Sequence, residues 1–215
     1  MRRVLGTIGL VLLLFIPGAA QQTGLTEGQT KAAELELPVL VKLFDLASGM
    51  TVADVGAGFG AWTVRFSRVV GPSGRVYSTD IGVAQLAALR DATQREGLTN
   101  VTVVEGAANT TNLPALCCDA ILVRDAYHHL TQPAAIVNSL AAALKPGGRL
   151  AVIDFPPRPK SEVPSGVPAD RLGHGVPPGV VEREVGAVLT HVRTMSTWNA
   201  DGEPRSLYLV LFRKP

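Results

Sequence analysis

Cysteine is almost absent from this chain of 215 residues: there are two, Cys117 and Cys118, and they are adjacent. Neighbours in sequence cannot staple distant segments, so a disulfide framework and a four-cysteine zinc site are both excluded. Aromatic residues are scarce as well, at 5%, which leaves Ala, Val and Leu to build the core. No excess of one charge is present. The 20 Lys and Arg stand against 18 Asp and Glu, a formal net of +2, far from the cationic surplus that binding a phosphate backbone requires. Nucleic acid is therefore excluded as the main partner. With 47% hydrophobic and 18% charged residues, the composition is that of a globular domain, not of a disordered, collagenous or coiled-coil chain. The length fits one domain.

One long apolar run is present, at the start. MRRVLGTIGLVLLLFIPGAAQQ places Arg2 and Arg3 before an apolar stretch from Val4 to Ile16, then Pro17-Gly18 and small residues up to Ala20. That order is the one of a secretory signal peptide cut after Ala20. The alternative is an uncleaved anchor, since Val4 to Ala20 is at the short end of a spanning helix. A third reading is an apolar helix packed within a cytosolic protein. Export to the periplasm or medium is the expectation, with membrane contact only through the possible anchor. Arg2 and Arg3 leave with residues 1–20, and the net charge of the remainder, 21–215, falls to zero.

From Thr51 onward short apolar runs alternate with stretches of helical spacing, the pattern of a parallel sheet covered by helices. Strands are expected at Thr51–Val55, Arg75–Thr79, Val101–Val104, Ala120–Arg124, Arg149–Phe155, His191–Trp198 and Ser206–Phe212. Helices are expected at Lys31–Leu46, Ala61–Val70, Val83–Glu96, Pro133–Leu144 and Pro178–Leu189. Residues 156–178 hold seven of the 15 prolines, too many for a regular element, and predict a lid or binding loop within a single domain.

The sequence Asp54-Val55-Gly56-Ala57-Gly58-Phe59-Gly60-Ala61 runs from a strand through a glycine turn into a helix. Such a turn lets the backbone approach a ligand closely. It also fits the loose dinucleotide fingerprint, with Asp80 about 20 residues on as a ribose acceptor. Asp54 beside the turn argues against a pyrophosphate and for a cationic ligand such as a sulfonium. Asp80 ends the second strand at the carboxyl edge of the sheet, where ligands bind in open α/β folds; alone, it could equally be a helix cap.

These segments resemble the class I S-adenosylmethionine-dependent methyltransferases. VADVGAGFG is similar to their first motif, VYSTDI to the second, CDAILVRDAYHHL to the fourth-strand region and LKPGGRLAVIDF to the segment leading into the fifth strand. The leader and DAYHHL together resemble a bacterial group of exported or membrane-associated members. The resemblance implies an α/β, Rossmann-like fold: a mostly parallel seven-stranded sheet with an antiparallel last strand and helices on both faces. It assigns Asp54, Gly56, Gly58 and Gly60 to the amino-acid end of S-adenosylmethionine, Asp80 to its ribose, and the residues after the third strand to its adenine. There the pattern departs from the family, because Gly106-Ala107-Ala108 stands where members have Gly-Asp. Losing that charge-assisted bond costs roughly 1.5–3 kcal/mol. Asn109 and Asn112 are the candidates to replace it.

Methyl transfer needs an aligned nucleophile and a dry site, with a base only when the nucleophile is protonated. Arg124, Asp125, Tyr127, His128 and His129 follow the fourth strand, and His128, His129 and Asp125 are the candidate catalytic residues. Each imidazole could instead pack against the next helix. Asp154 is a weaker candidate for the same wall, and His174 could fold over the substrate as part of a lid. No spacing among these residues is diagnostic of a metal, so none is expected. Cys117 and Cys118 read as buried thiols or as a vicinal disulfide. Trp62 and Trp198 read as core.

The expected function is transfer of a methyl group from S-adenosylmethionine to a small-molecule acceptor. Two alternatives stand beside it. One is an NAD(P)-dependent oxidoreductase on the same turn, although no Tyr-x-x-x-Lys pair occurs. The other is a non-catalytic exported binding module.

Overall fold

The computed structural model describes residues 24–198 and 206–215; the expected leader at 1–20 lies outside them. α1 (Glu27–Phe44) opens the described chain, followed by β1 (Thr51–Val55), α2 (Ala61–Val70), β2 (Arg75–Asp80), α3 (Val83–Arg95) and β3 (Val101–Glu105). Then come β4 (Cys118–Arg124), a 3₁₀ turn at Tyr127–His129, α4 (Pro133–Ala143) and β5 (Leu144–Asp154). A second 3₁₀ turn (Ala169–Arg171), α5 (Pro178–Gly186), β6 (Thr190–Met195) and β7 (Tyr208–Arg213) complete it.

The strands form one sheet in the order β3-β2-β1-β4-β5-β7-β6. β1 to β5 pair in parallel, and β7 runs antiparallel to both β5 and β6. Strand periodicity sorts the core into two layers. Ala120, Leu122, Ala151, Ile153, Leu209 and Leu211 face Leu40 and Phe44 of α1 and Trp62 and Phe66 of α2. Their neighbours Ile121, Val123, Leu150, Val152, Val210 and Phe212 face Ile136 and Leu140 of α4 and Val181 and Val185 of α5.

Local signals explain the element ends. Thr26 caps α1 by accepting from the Gln29 amide, and the Gln29 side chain accepts from the Thr26 amide, a reciprocal capping box. Pro133 and Pro178 sit in the first turns of α4 and α5, where no amide hydrogen is lost. α1 begins four residues before the expected Lys31, and Glu36 lies on its buried face.

The proline-rich connection holds one 3₁₀ turn where no regular element was expected, and it is tied down. Arg171, fully buried, pairs with Glu184 of α5 at 2.9 and 3.0 Å. Glu184 also accepts from the Tyr127 hydroxyl at 2.8 Å.

Candidate functional site

β1 runs into the glycine turn and its parallel neighbour β2 ends beside it at Asp80, so the turn sits at the carboxyl edge of the sheet, near its centre. Gly56 has φ +70°, and a Cβ there would lie 2.5 Å from the Cβ of Ala126. The backbone can pass between β1 and the segment after β4 only without a side chain. The Gly58 amide donates to Asp80 Oδ2 at 2.9 Å, while Asp80 Oδ1 accepts from the Ile81 and Gly82 amides at 2.8 and 3.0 Å. A carboxylate offers about four lone pairs. Three are thus spent on shaping the turn, leaving roughly one, on Oδ2, for a ligand.

A cavity of about 430 Å³ opens at this edge, within the range of small-molecule sites. Of the cofactor candidates, Gly56, Gly58, Asp80, Ala107 and Ala108 line it; of the catalytic candidates, Asp125 and His129 do. Asp54, Gly60 and His128 do not. Asp54 is buried beneath the turn, where its Oδ2 accepts from the Thr63 hydroxyl at 2.6 Å, and that hydroxyl also contacts Ser78 at 2.8 Å. Burial pushes the Asp54 carboxyl up to about 6, against the hydrogen bond from Thr63. Its charge is directed at the β1–α2–β2 junction, away from the cavity wall.

Neither Asn109 nor Asn112 lines the cavity. The Asn112 side chain donates to the Glu105 carbonyl at 2.9 Å and accepts from the Thr110 hydroxyl, so it braces the 107–110 turn. Thr110 and Thr111 line the cavity instead. Two threonines carry no motif signal, and sequence reasoning passed over them.

Behind the cavity wall, His128 is buried with Nδ1 at 2.8 Å from Asp154 Oδ1, and its amide donates to Asp154 Oδ2 at 3.1 Å. His129, on the wall, is lowered from its ordinary value by partial burial and then by the His128 and His174 imidazoles. His174 is lowered by burial, then by His128 and Arg158. Both rings are therefore neutral near pH 7. Arg124, which ends β4, is committed elsewhere: its guanidinium grips Glu36 of α1 at 2.9–3.1 Å and stacks on Trp62 at 4.2 Å. Trp62 Nε1–H donates to the same carboxylate at 3.0 Å. Tyr127, buried against Glu184, is raised far above the ordinary phenol range, first by burial and then by that carboxylate. Cys117 and Cys118 are joined as a vicinal disulfide entering β4.

Known proteins match this arrangement. Residues 52–148 match the family described as a methyltransferase domain. A ubiquinone/menaquinone biosynthesis C-methyltransferase UbiE of Pseudomonas paraeruginosa is 34% identical over 116 residues, 54% of this chain and 45% of that protein. The match thus spans about half the length of such relatives. Among solved structures, a SAM-dependent methyltransferase from Aquifex aeolicus superposes with a TM-score of 0.69 at 25% identity, covering 88% of this chain and 94% of that one. The Haemonchus contortus phosphoethanolamine N-methyltransferase 2 in complex with S-adenosyl-L-methionine shares the fold, with a TM-score of 0.65 at 15% identity over 85% of this chain and 52% of its own. The strand order and these likenesses give the chain the fold of S-adenosylmethionine-dependent methyltransferases, with a likeness to a methyltransferase domain over residues 52–148.

Proposed function

We propose that the protein transfers a methyl group from S-adenosylmethionine to a small-molecule acceptor held on the Asp125–His129 side of the cavity. One observation carries this reading: the glycine turn, Asp80 and the 106–111 segment wall a single cavity that continues to the end of β4. The first three can hold a nucleoside and its amino-acid tail; the last brings polar side chains to the place where an acceptor must align. In the reaction, the acceptor's electron pair forms a bond to the methyl carbon. The carbon–sulfur bond breaks with its pair returning to sulfur, which leaves a neutral thioether. The acceptor's proton, where it has one, passes to Asp125 or His129.

Isothermal titration of the protein with S-adenosylmethionine, S-adenosylhomocysteine and NAD tests this. Binding of the first two without the third is expected. Binding of NAD alone would sustain the oxidoreductase reading, and binding of none the non-catalytic one.

We further infer that residues 1–20 direct export or anchor the chain. Arg2 and Arg3 before the apolar run support this. Cell fractionation with mass analysis of the N-terminus is expected to find protein beginning at Gln21 outside the cytoplasm. Intact chain in the soluble cytoplasm would overturn it.

A further inference from the structure

Three imidazoles from two distant stretches of chain meet beside the cavity. His128 and His129 come from the 3₁₀ turn after β4, and His174 from the proline-rich connection. Ring centroids are 3.9 Å apart for His128–His129, 5.0 Å for His128–His174 and 5.7 Å for His129–His174. One nitrogen from each ring lies within 4.8 Å of the other two.

The surroundings hold two of these rings for one purpose. A fully buried carboxylate opposite His128 Nδ1 fixes the proton on that nitrogen and leaves the Nε2 lone pair for another partner. Asp154 is itself held by the His128 and Phe155 amides. An imidazole oriented through its far nitrogen by a carboxylate is the support that metal-ligating histidines have. His174 is delivered by its backbone. Its amide donates to Ser161 Oγ at 2.8 Å, and its carbonyl accepts from the Arg158 amide at 3.0 Å. The following Gly175 has φ +129°, and a Cβ there would lie 2.7 Å from the Pro156 carbonyl oxygen. The Phe155 ring packs against both His128 and His174, at 4.6 and 5.4 Å between centroids, so the cluster has an apolar back.

We propose that His128, His129 and His174 form a binding site for one divalent ion of the zinc class, with Asp154 as the positioning residue of His128. Three protein ligands and an open fourth position are the arrangement of reactive, not purely structural, zinc sites. An ion about 2.0–2.1 Å from each nitrogen needs them about 3.3 Å apart. Closing the set to that spacing falls to the exposed His129 and half-buried His174 rings, since His128 is held by Asp154. Because His129 also lines the cavity, the ion adjoins the acceptor's place. There, on the methyltransferase reading, it would bind an acceptor oxygen or sulfur and favour loss of its proton. Bound to the ion, His129 has no lone pair left for a proton, which then falls to Asp125.

The site itself does not rest on the methyltransferase reading, and the test keeps the two apart. Tag-free, metal-stripped full-length protein is titrated with Zn²⁺ by calorimetry and with Co²⁺ by visible absorption. One equivalent is expected, with the absorption of a nitrogen-bound four-coordinate ion. His129→Ala and His174→Ala change half-buried or exposed rings and are expected to fold, checked by circular dichroism. Each should weaken Zn²⁺ binding at least roughly tenfold, and Asp154→Asn by about 10–100-fold. No stoichiometric binding, or binding unchanged in His129→Ala and His174→Ala, overturns the site. Zn²⁺ binding without S-adenosylhomocysteine binding would overturn the proposed function and leave the site standing.

Discussion

The two ends of the cavity are built in different ways. The cofactor end is local: Gly56, Gly58 and Asp80 lie within one β1–α2–β2 unit, and backbone amides make its hydrogen bonds. The acceptor end is assembled from afar. Arg124 reaches back to Glu36, His128 to Asp154, and Tyr127 to the Glu184–Arg171 pair. A local site can be damaged without loosening the molecule. A site made of long-range charge pairs fails together with the packing that carries it.

That contrast can be broken most severely at Glu36. Its side chain and that of Arg124 are 1% and 4% exposed, so Glu36→Ala takes the carboxylate away from a buried guanidinium. Removing one partner of such a pair costs about 3–5 kcal/mol, and urea unfolding is expected to show a loss of that size. Loss of cofactor affinity at unchanged stability would show instead that the pair serves the site directly.

Asp54 is the cofactor end's exception, a buried acid whose effect is on stability. Its carboxyl titrates at about 6 in the fold, against 3.8 ordinarily, so the native state holds the proton more tightly than the unfolded chain. The stability this contributes is fully present below pH 3.8 and is lost as pH rises through 6, about 3 kcal/mol in all. Asp54→Asn should flatten the unfolding midpoint between about pH 4 and 7. An unchanged slope would place the titrating group elsewhere.

Smaller effects are expected within the turn itself. Gly56→Ala meets Ala126 and a positive φ at once, and should weaken S-adenosylhomocysteine binding about a hundredfold, near 2.7 kcal/mol. Asp80→Asn keeps the size of the side chain but turns one carboxylate oxygen into a donor facing amides. Binding should fall about tenfold with little change in melting. If Asp80→Asn proved as damaging to stability as Glu36→Ala, the distinction between the two ends would collapse.

The same contrast decides what could be seen in the sequence. A turn from strand to helix needs glycines in a row, so the segment from Thr51 to Val70 was legible to the residue. Asp80 was legible because a strand ends there. The acceptor end gave partial signals: Asp125, His128 and His129 stood out as polar residues after an apolar strand, but not which of them faces the cavity. Asp54 and His128 show why. A charged residue at a strand end is displayed or buried according to what a distant side chain offers, here Thr63 and Asp154. His174 lay in a proline-rich stretch without periodicity, so nothing in the spacing joined it to the histidines after β4. The Arg171–Glu184 pair was invisible for the same reason.

β7 is inserted between β5 and β6, not added at the edge. β6 therefore has no strand to pair with until residues 208–213 are in place, and Val210 and Phe212 close a layer already flanked by α4 and α5. The chain must be made almost to its last described residue before the sheet can close. Until then a nascent chain presents the unpaired edge of β5, a surface that other extended segments can join.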